Sequence, residues 1–242
     1  MQNCEFFLFS DDDRHWCLKN KVNITHPGCD DYPEVFMKLN CRPAVLFYIG
    51  HPIWKTHNLI SVVGSRVPQM QSLQWLESAL NKEILARHKL CIVSGGARGV
   101  DQKAHQIGLR SETPTAVLLP SGLRNIYPKH FEEWVPPIVS KGGCVVSQFL
   151  PSQRMEKRNF RERNRLIAAL SPFTLLIECR RRSGTMLTAQ YAMEFGNELG
   201  VMPTFPGESG MGGLDLICDH SALPVRDTTD IELILARCFK SI

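Results

Sequence analysis

Leu90-Cys-Ile-Val-Ser-Gly-Gly-Ala-Arg-Gly-Val-Asp-Gln-Lys-Ala-His105 carries the chain from one kind of structure into another within a few residues. Leu90–Val93 is a short apolar run that reads as a buried strand, and a helix is expected from about Val100 onward. Between them stand Ser94, Gly95, Gly96, Ala97, Arg98 and Gly99. Glycines let backbone N–H groups come close to a bound group, and the positive end of a helix dipole favours an anion there. Arg98 adds a full positive charge inside the turn. The stretch reads as an anion cradle, with phosphate the natural occupant. Taken singly, it fits equally a tight strand–helix turn that binds nothing.

The same rhythm runs outward in both directions. Ala44–Ile49 is an apolar strand ended by Gly50-His51-Pro52, and Ile60–Val63 is closed by Gly64-Ser65-Arg66. Leu73, Leu76, Leu80 and Ile84 then mark one face of a helix. Thr115–Leu119, Cys144–Ser147 and Phe173–Ile177 are further strands. A helix with Leu187, Tyr191, Phe195 and Leu199 on one face follows, and Gly200–Phe205 closes the series. Short strands alternating with amphipathic helices predict an α/β fold, a mostly parallel sheet with helices on both faces. Ligands of such sheets bind beyond the carboxyl ends of the strands. There the chain places Gly64-Ser65-Arg66, Ser94–Gly99, Pro120-Ser121-Gly122 and Arg180-Arg-Arg-Ser183-Gly184-Thr185, all small, polar or basic. Several such loops on one rim make a crevice for an anionic ligand.

Residues 1–43 form a less legible lead-in to a domain spanning 44–242. Asp11–His15 reads as a solvated turn, and Pro33–Leu39 as a short helix. His26 with Cys29, and His51 with His57, lack a second ligand pair, so no metal site is expected. The nine cysteines are odd in number and contain no Cys-x-x-Cys, which suits free thiols in a reducing cytoplasm. Phe6–Phe9 lacks a basic leader, and no apolar run reaches membrane-spanning length. A net charge of +4 is too mild to argue for nucleic acid by itself, so its distribution matters more.

That distribution peaks in Arg154–Arg165, which precedes the helical Leu166–Leu170 and whose end reads as the first turn of that helix. Basic residues at a helix N-terminus oppose the macrodipole unless an anion is present. Phe160 sits in this run on no apolar periodicity. A phenyl ring among Lys and Arg offers a base-stacking platform beside a phosphate track. A core anchor for Phe160, within a salt-bridged solvated face, is the plain alternative.

Gly64-Ser65-Arg66, Ser94–Asp101 with Ala104-His105, Ser121-Gly122 with Ile126-Tyr127-Pro128, Phe160–Ile167 and Ser183–Thr188 stand in the order of the motifs of the DNA-processing protein A (DprA/Smf) family, which the chain resembles from about Asp31 to Glu232. The resemblance implies an extended Rossmann-like domain that binds single-stranded DNA as a homodimer. It also implies protection of incoming strands during natural transformation and help in loading the RecA recombinase, without nucleotide hydrolysis. It assigns Arg66 to phosphate, places Lys157 at a DNA-contacting lysine with Phe160 three residues on, and completes the pocket with Gly95–Gly99, Arg163, Asn164, Ser183, Gly184 and Thr185. Against the family pattern, Gln148 and Phe149 follow Ser147, Asp215 stands where Asn is common, and no C-terminal winged helix is expected.

The rival reading is a nucleotide-binding or nucleotide-processing Rossmann enzyme of the lonely-guy-like class. Neither Gly-x-x-x-x-Gly-Lys-[Ser/Thr] nor Gly-x-Gly-x-x-Gly occurs, so no nucleotide cofactor is expected. Asp101 reads as a brace for the helix after the glycine turn, and Glu178 as the end of a strand. The basic run with Phe160 favours a strand over a small nucleotide, and a binder over an enzyme.

Overall fold

The structure, a computed structural model, describes residues 10–239. In chain order it runs α1 (Asp11–Lys19), β1 (Asn23–Thr25), β2 (Leu46–Gly50), β3 (Asn58–Gly64), α2 (Met70–Ala79), α3 (Lys82–Arg87), β4 (Leu90–Ser94) and α4 (Val100–Arg110). It continues with β5 (Thr115–Leu118), α5 (Val135–Ser140), β6 (Cys144–Ser147), α6 (Lys157–Leu170), β7 (Phe173–Ile177) and α7 (Gly184–Glu194). It closes with β8 (Glu198–Val201), α8 (Met211–Cys218), β9 (Leu223–Pro224) and α9 (Thr228–Cys238). The apolar run Phe6–Phe9 lies outside the described residues.

The strands form one nine-stranded sheet in the order β1-β2-β6-β5-β4-β3-β7-β8-β9. All neighbours from β6 to β9 are parallel, while β1 and β2 add an antiparallel edge. The run β5-β4-β3-β7-β8-β9 has the Rossmann order, in which the chain winds outward in both directions from a switch between β3 and β7. Alternate residues of β3 serve opposite faces. Ile60 and Val62 pack with Leu76, Ile84, Ala104 and Ile231 of α2, α3, α4 and α9. Leu59 and Val63 pack with Ile167, Ala189 and Leu216 of α6, α7 and α8. Ser61 also faces α6, where its hydroxyl donates to Ile167 O at 2.7 Å.

Five expectations are corrected. Asp11–His15 is not a solvated turn but the start of α1, capped by Ser10, with three acidic residues favoured at a helix N-terminus. Asp13 is buried there, accepting from Ser152 Oγ at 2.7 Å and facing Arg124 at 3.4 Å. The single helix over Leu73–Ile84 is two, because Asn81 Oδ1 accepts from the Glu83 and Ile84 N–H groups and starts α3 anew; Leu76, Leu80 and Ile84 remain buried. Leu199 belongs to β8, not to the helix of Leu187, because α7 ends at Glu194 and Gly196 turns the chain at φ +71°. The final central strand is Glu198–Val201 rather than Gly200–Phe205, where Pro203 has no N–H for the ladder. Finally, α6 takes in the basic run from Lys157 onward, with Leu166–Leu170 as its last turns.

Candidate nucleic-acid interface

The β3 and β7 exits face each other at the switch point. The turn after β3 is drawn tight because Gly64 lacks a side chain, and a Cβ there would stand 2.2 Å from Ile177 O and 2.7 Å from Val100 Cγ2. Ser65 then joins two elements, its N–H donating to Ile177 O and its carbonyl accepting from Val100 N–H, both at 3.1 Å. Arg66 is left exposed at the rim. Across from it, Ser183 caps α7, its hydroxyl accepting from Met186 N–H at 3.1 Å. Between them opens a cleft of about 440 Å³ reached by Arg66, Phe160, Arg163, Arg182, Ser183 and Thr185. A second space of about 300 Å³ adjoins it, with Arg98, Pro120, Tyr127 and Pro128 on its far wall. Arg66, Phe160 and Arg163 belong to both.

Helix α6 supplies the shared wall. Its N-cap residue Glu156 makes no side-chain cap, so the positive end of the helix carries Lys157 and Arg158 without a capping acceptor. Asn159 anchors that end by donating to Pro120 O at 2.9 Å. One turn on, the Arg163 guanidinium is buried against Gly95, where a Cβ would lie 1.4 Å from Nη1. Its ion partner is Asp101 at 3.8 Å, and its Nε has no hydrogen-bond partner. Burial pushes the Arg163 guanidinium down to about 10, with Asp101 opposing the shift and Arg66 adding to it. Burial likewise raises the Asp101 carboxyl, against the pull of Arg163. A buried charge so incompletely paired is costly unless a further partner arrives.

Phe160 is half-buried rather than a free platform. Arg66 Cζ lies 5.3 Å and Arg163 Cζ 5.7 Å from its ring centroid, and Tyr127 meets it edge-to-face at 5.9 Å.

The glycine turn behaves unlike the cleft. Ser94 is wholly buried and its hydroxyl donates to Val62 O at 2.6 Å. Gly95 and Gly96 are buried too, Gly96 at φ +71° against Phe131. Gly99, at φ +83°, leaves no room for a Cβ beside Ser65 O at 2.4 Å. Ala97 N–H donates to Asp101 Oδ2 at 3.3 Å, so an internal carboxylate sits where an external anion is expected from the sequence. Ala97 still reaches both spaces, and Arg98 is exposed on the smaller one.

Of the other residues singled out from sequence, Asn164 is buried and donates to Gly184 O at 3.1 Å, tying α6 to α7. Lys157 is exposed and lines neither space. Arg180, Arg182, Tyr127 and Thr188 line the spaces without having been singled out as site residues, though the Arg180–Arg182 run already stood at a strand exit. Glu178 is more than a strand end. It is buried with φ +50°, and its carboxylate accepts from Gln69 N–H at 2.7 Å and Ser72 Oγ at 2.5 Å, holding the start of α2. Among the described residues no cluster of three or more His, Cys, Asp or Glu side chains is placed to hold a metal, the cysteines are free thiols, and no helix is long and apolar enough to cross a membrane.

Residues 23–235 match the family described as DNA recombination-mediator protein A. Protein Smf of Escherichia coli is 31% identical over 89% of the chain and 57% of its own length. Protein Smf of Synechocystis is 32% identical over 82% of the chain and 50% of its own length, so the chain spans only about half of these relatives. DNA processing protein A of Streptococcus pneumoniae superposes with a TM-score of 0.80 at 28% identity, over 92% of this chain and 77% of that one. The Helicobacter pylori protein, solved for its single-stranded DNA binding mode, superposes at 0.79 and 27%, over 90% of this chain and 96% of that one.

Proposed function

The chain belongs to the DNA recombination-mediator protein A family, and from that premise we propose that it binds single-stranded DNA, without sequence preference, across the cleft between the β3 and β7 exits. The observation that carries the reading is Arg163, a buried guanidinium with an unpartnered Nε on the shared wall of both spaces. Phosphates lie on Arg66, on Arg163 and at the Ser183–Thr185 end of α7, and one base stacks at Phe160. Ala97–Gly99 border the path, and Lys157 adds long-range attraction from outside the cleft. No bond is made or broken in this role. It extends to protecting incoming strands in the cytoplasm during natural transformation, and to loading the RecA recombinase, by a homodimer.

The test is a fluorescence titration of labelled oligothymidine at low and moderate salt, with unlabelled duplex as competitor. Arg66→Glu abolishes most of the affinity and flattens the salt dependence, since phosphate contacts set that slope. Phe160→Ala loses about 1–3 kcal/mol with the slope unchanged. Lys157→Glu loses less than Arg66→Glu. Weak binding of every strand by wild type and variants alike, with tight binding of a mononucleotide, would replace this reading with the nucleotide-processing one.

A further inference from the structure

The cleft does not end at Arg182. Beyond it lies an open basin of about 530 Å³ lined by Arg180, Arg181, Arg182, Glu208 and Met211. Arg180 and Arg182 belong to both spaces, so the basin continues the cleft. Its floor is fixed by close backbone packing. Gly213 N–H donates to Cys179 O at 3.2 Å, and a Cβ on Gly212 would stand 2.8 Å from that oxygen and from the Arg180 carbonyl carbon. Helix α8 is therefore seated directly on the arginine loop.

Two of the three arginines are held by carboxylates from the chain beyond β8. Arg181 donates from Nε and Nη2 to Asp215 Oδ2 and Oδ1 at 2.6 and 2.9 Å. Arg180 lies 3.7 Å from Glu208. Both pairs are solvent-exposed, where ion pairs contribute little to stability. A phosphate diester offers the same two-oxygen fork to a guanidinium that the Asp215 carboxylate does. The Asp215 carboxylate thus occupies the fork of Arg181 with the geometry a phosphate would use.

We propose that this basin is a second phosphate-binding subsite on the path of the DNA strand, and that Asp215 is its internal competitor, holding Arg181 until a phosphate displaces it. The proposal rests on the single-strand reading of the adjoining cleft. DNA is favoured over an acidic peptide because the basin opens into that cleft through Arg180 and Arg182. A short strand fills the cleft alone, whereas a longer one must also run over the basin.

The experiment compares wild type, Asp215→Asn, Arg181→Gln and the double variant, titrating labelled oligothymidines of about 4 and about 16 nucleotides, the span of single-domain site sizes. Asp215→Asn is expected to bind the longer strand several-fold more tightly, with a salt slope steeper by about 0.7 for one added phosphate contact, and the shorter strand as wild type does. Arg181→Gln abolishes that gain. An equal gain in the Arg181→Gln background would overturn the proposal, since removal of any negative charge would then explain it. Unchanged binding of the longer strand by Asp215→Asn, with wild type still binding well, would place the strand elsewhere and leave the cleft reading intact. A polyglutamate probe gaining as much as DNA would overturn the assignment to a strand. Failure of wild type to bind either oligothymidine would remove both readings together.

Discussion

The exits of β4 and β7 are built alike and behave oppositely. Each passes from a buried strand through a turn with glycine into a helix of eleven residues, and each touches α6. After Gly99 the second residue is Asp101, whose carboxylate turns back to accept the Ala97 amide and to face Arg163. In α7 the cap is Ser183 and the second residue after it is Thr185, which has no carboxylate to turn back, and the Ser183–Thr185 end of α7 lies on the open cleft. The β4 exit is a closed brace with a carboxylate of its own, whereas the β7 exit is capped only by the Ser183 hydroxyl and opens on the cleft.

Acid separates the closed region from the rest most strongly. His105 is buried on α4, hydrogen-bonded through Nδ1 to Thr115 Oγ1 at 2.6 Å, and burial, with Arg163 adding, holds it down to about 3. Between pH 6.5 and about 3 the unfolded chain binds a proton that the folded chain refuses, so this stability is complete above pH 6.5 and drains away as pH falls. Urea denaturation across that range is expected to show a loss of a few kcal/mol, up to about 5, from this group, and His105→Gln is expected to flatten the corresponding part of the curve.

Arg163 joins the two regions, and removing it should damage the closed one first. Arg163→Met leaves Asp101 buried without a countercharge and lowers stability by about 3–5 kcal/mol, read as a thermal shift of about 2–4 °C per kcal/mol. Adding Asp101→Asn restores most of the melting temperature but not oligonucleotide affinity. Recovery of both would make Arg163 a structural group only.

Gly95→Ala sharpens the comparison with a smaller effect. The Gly95 φ lies outside the left-handed region, so the added methyl acts chiefly through its overlap with the Arg163 guanidinium. It should cost about 1–3 kcal/mol and weaken strand binding without altering the salt response of Arg66. Wild-type affinity in this variant would show that Arg163 need not hold its position against the glycine turn.

Much of this was legible in advance. The alternation of Ile60–Val63, Leu90–Val93 and Phe173–Ile177 with amphipathic helices predicts the parallel sheet, because strand and helix periodicities are local properties of the chain. The basic and small residues at the strand exits likewise mark the rim. Helix limits were less legible. Ile84 continues the apolar spacing across the Asn81 cap, and Leu199 continues it across the Gly196 turn, so periodicity alone joins what capping separates.

The sequence by itself determined the alternation of the central strands with helices and the chemistry of the loops at the strand exits. Tertiary structure decided which loop is open. Whether the glycine turn can receive an anion depends on Asp101 and on Arg163, which arrives from α6 and lies buried against Gly95. The switch between β3 and β7, not the glycine turn alone, is where the cleft forms. The reason is physical: the desolvation and pairing of a charge are set by neighbours distant along the chain, whereas periodicity and turn geometry are set by neighbours beside it.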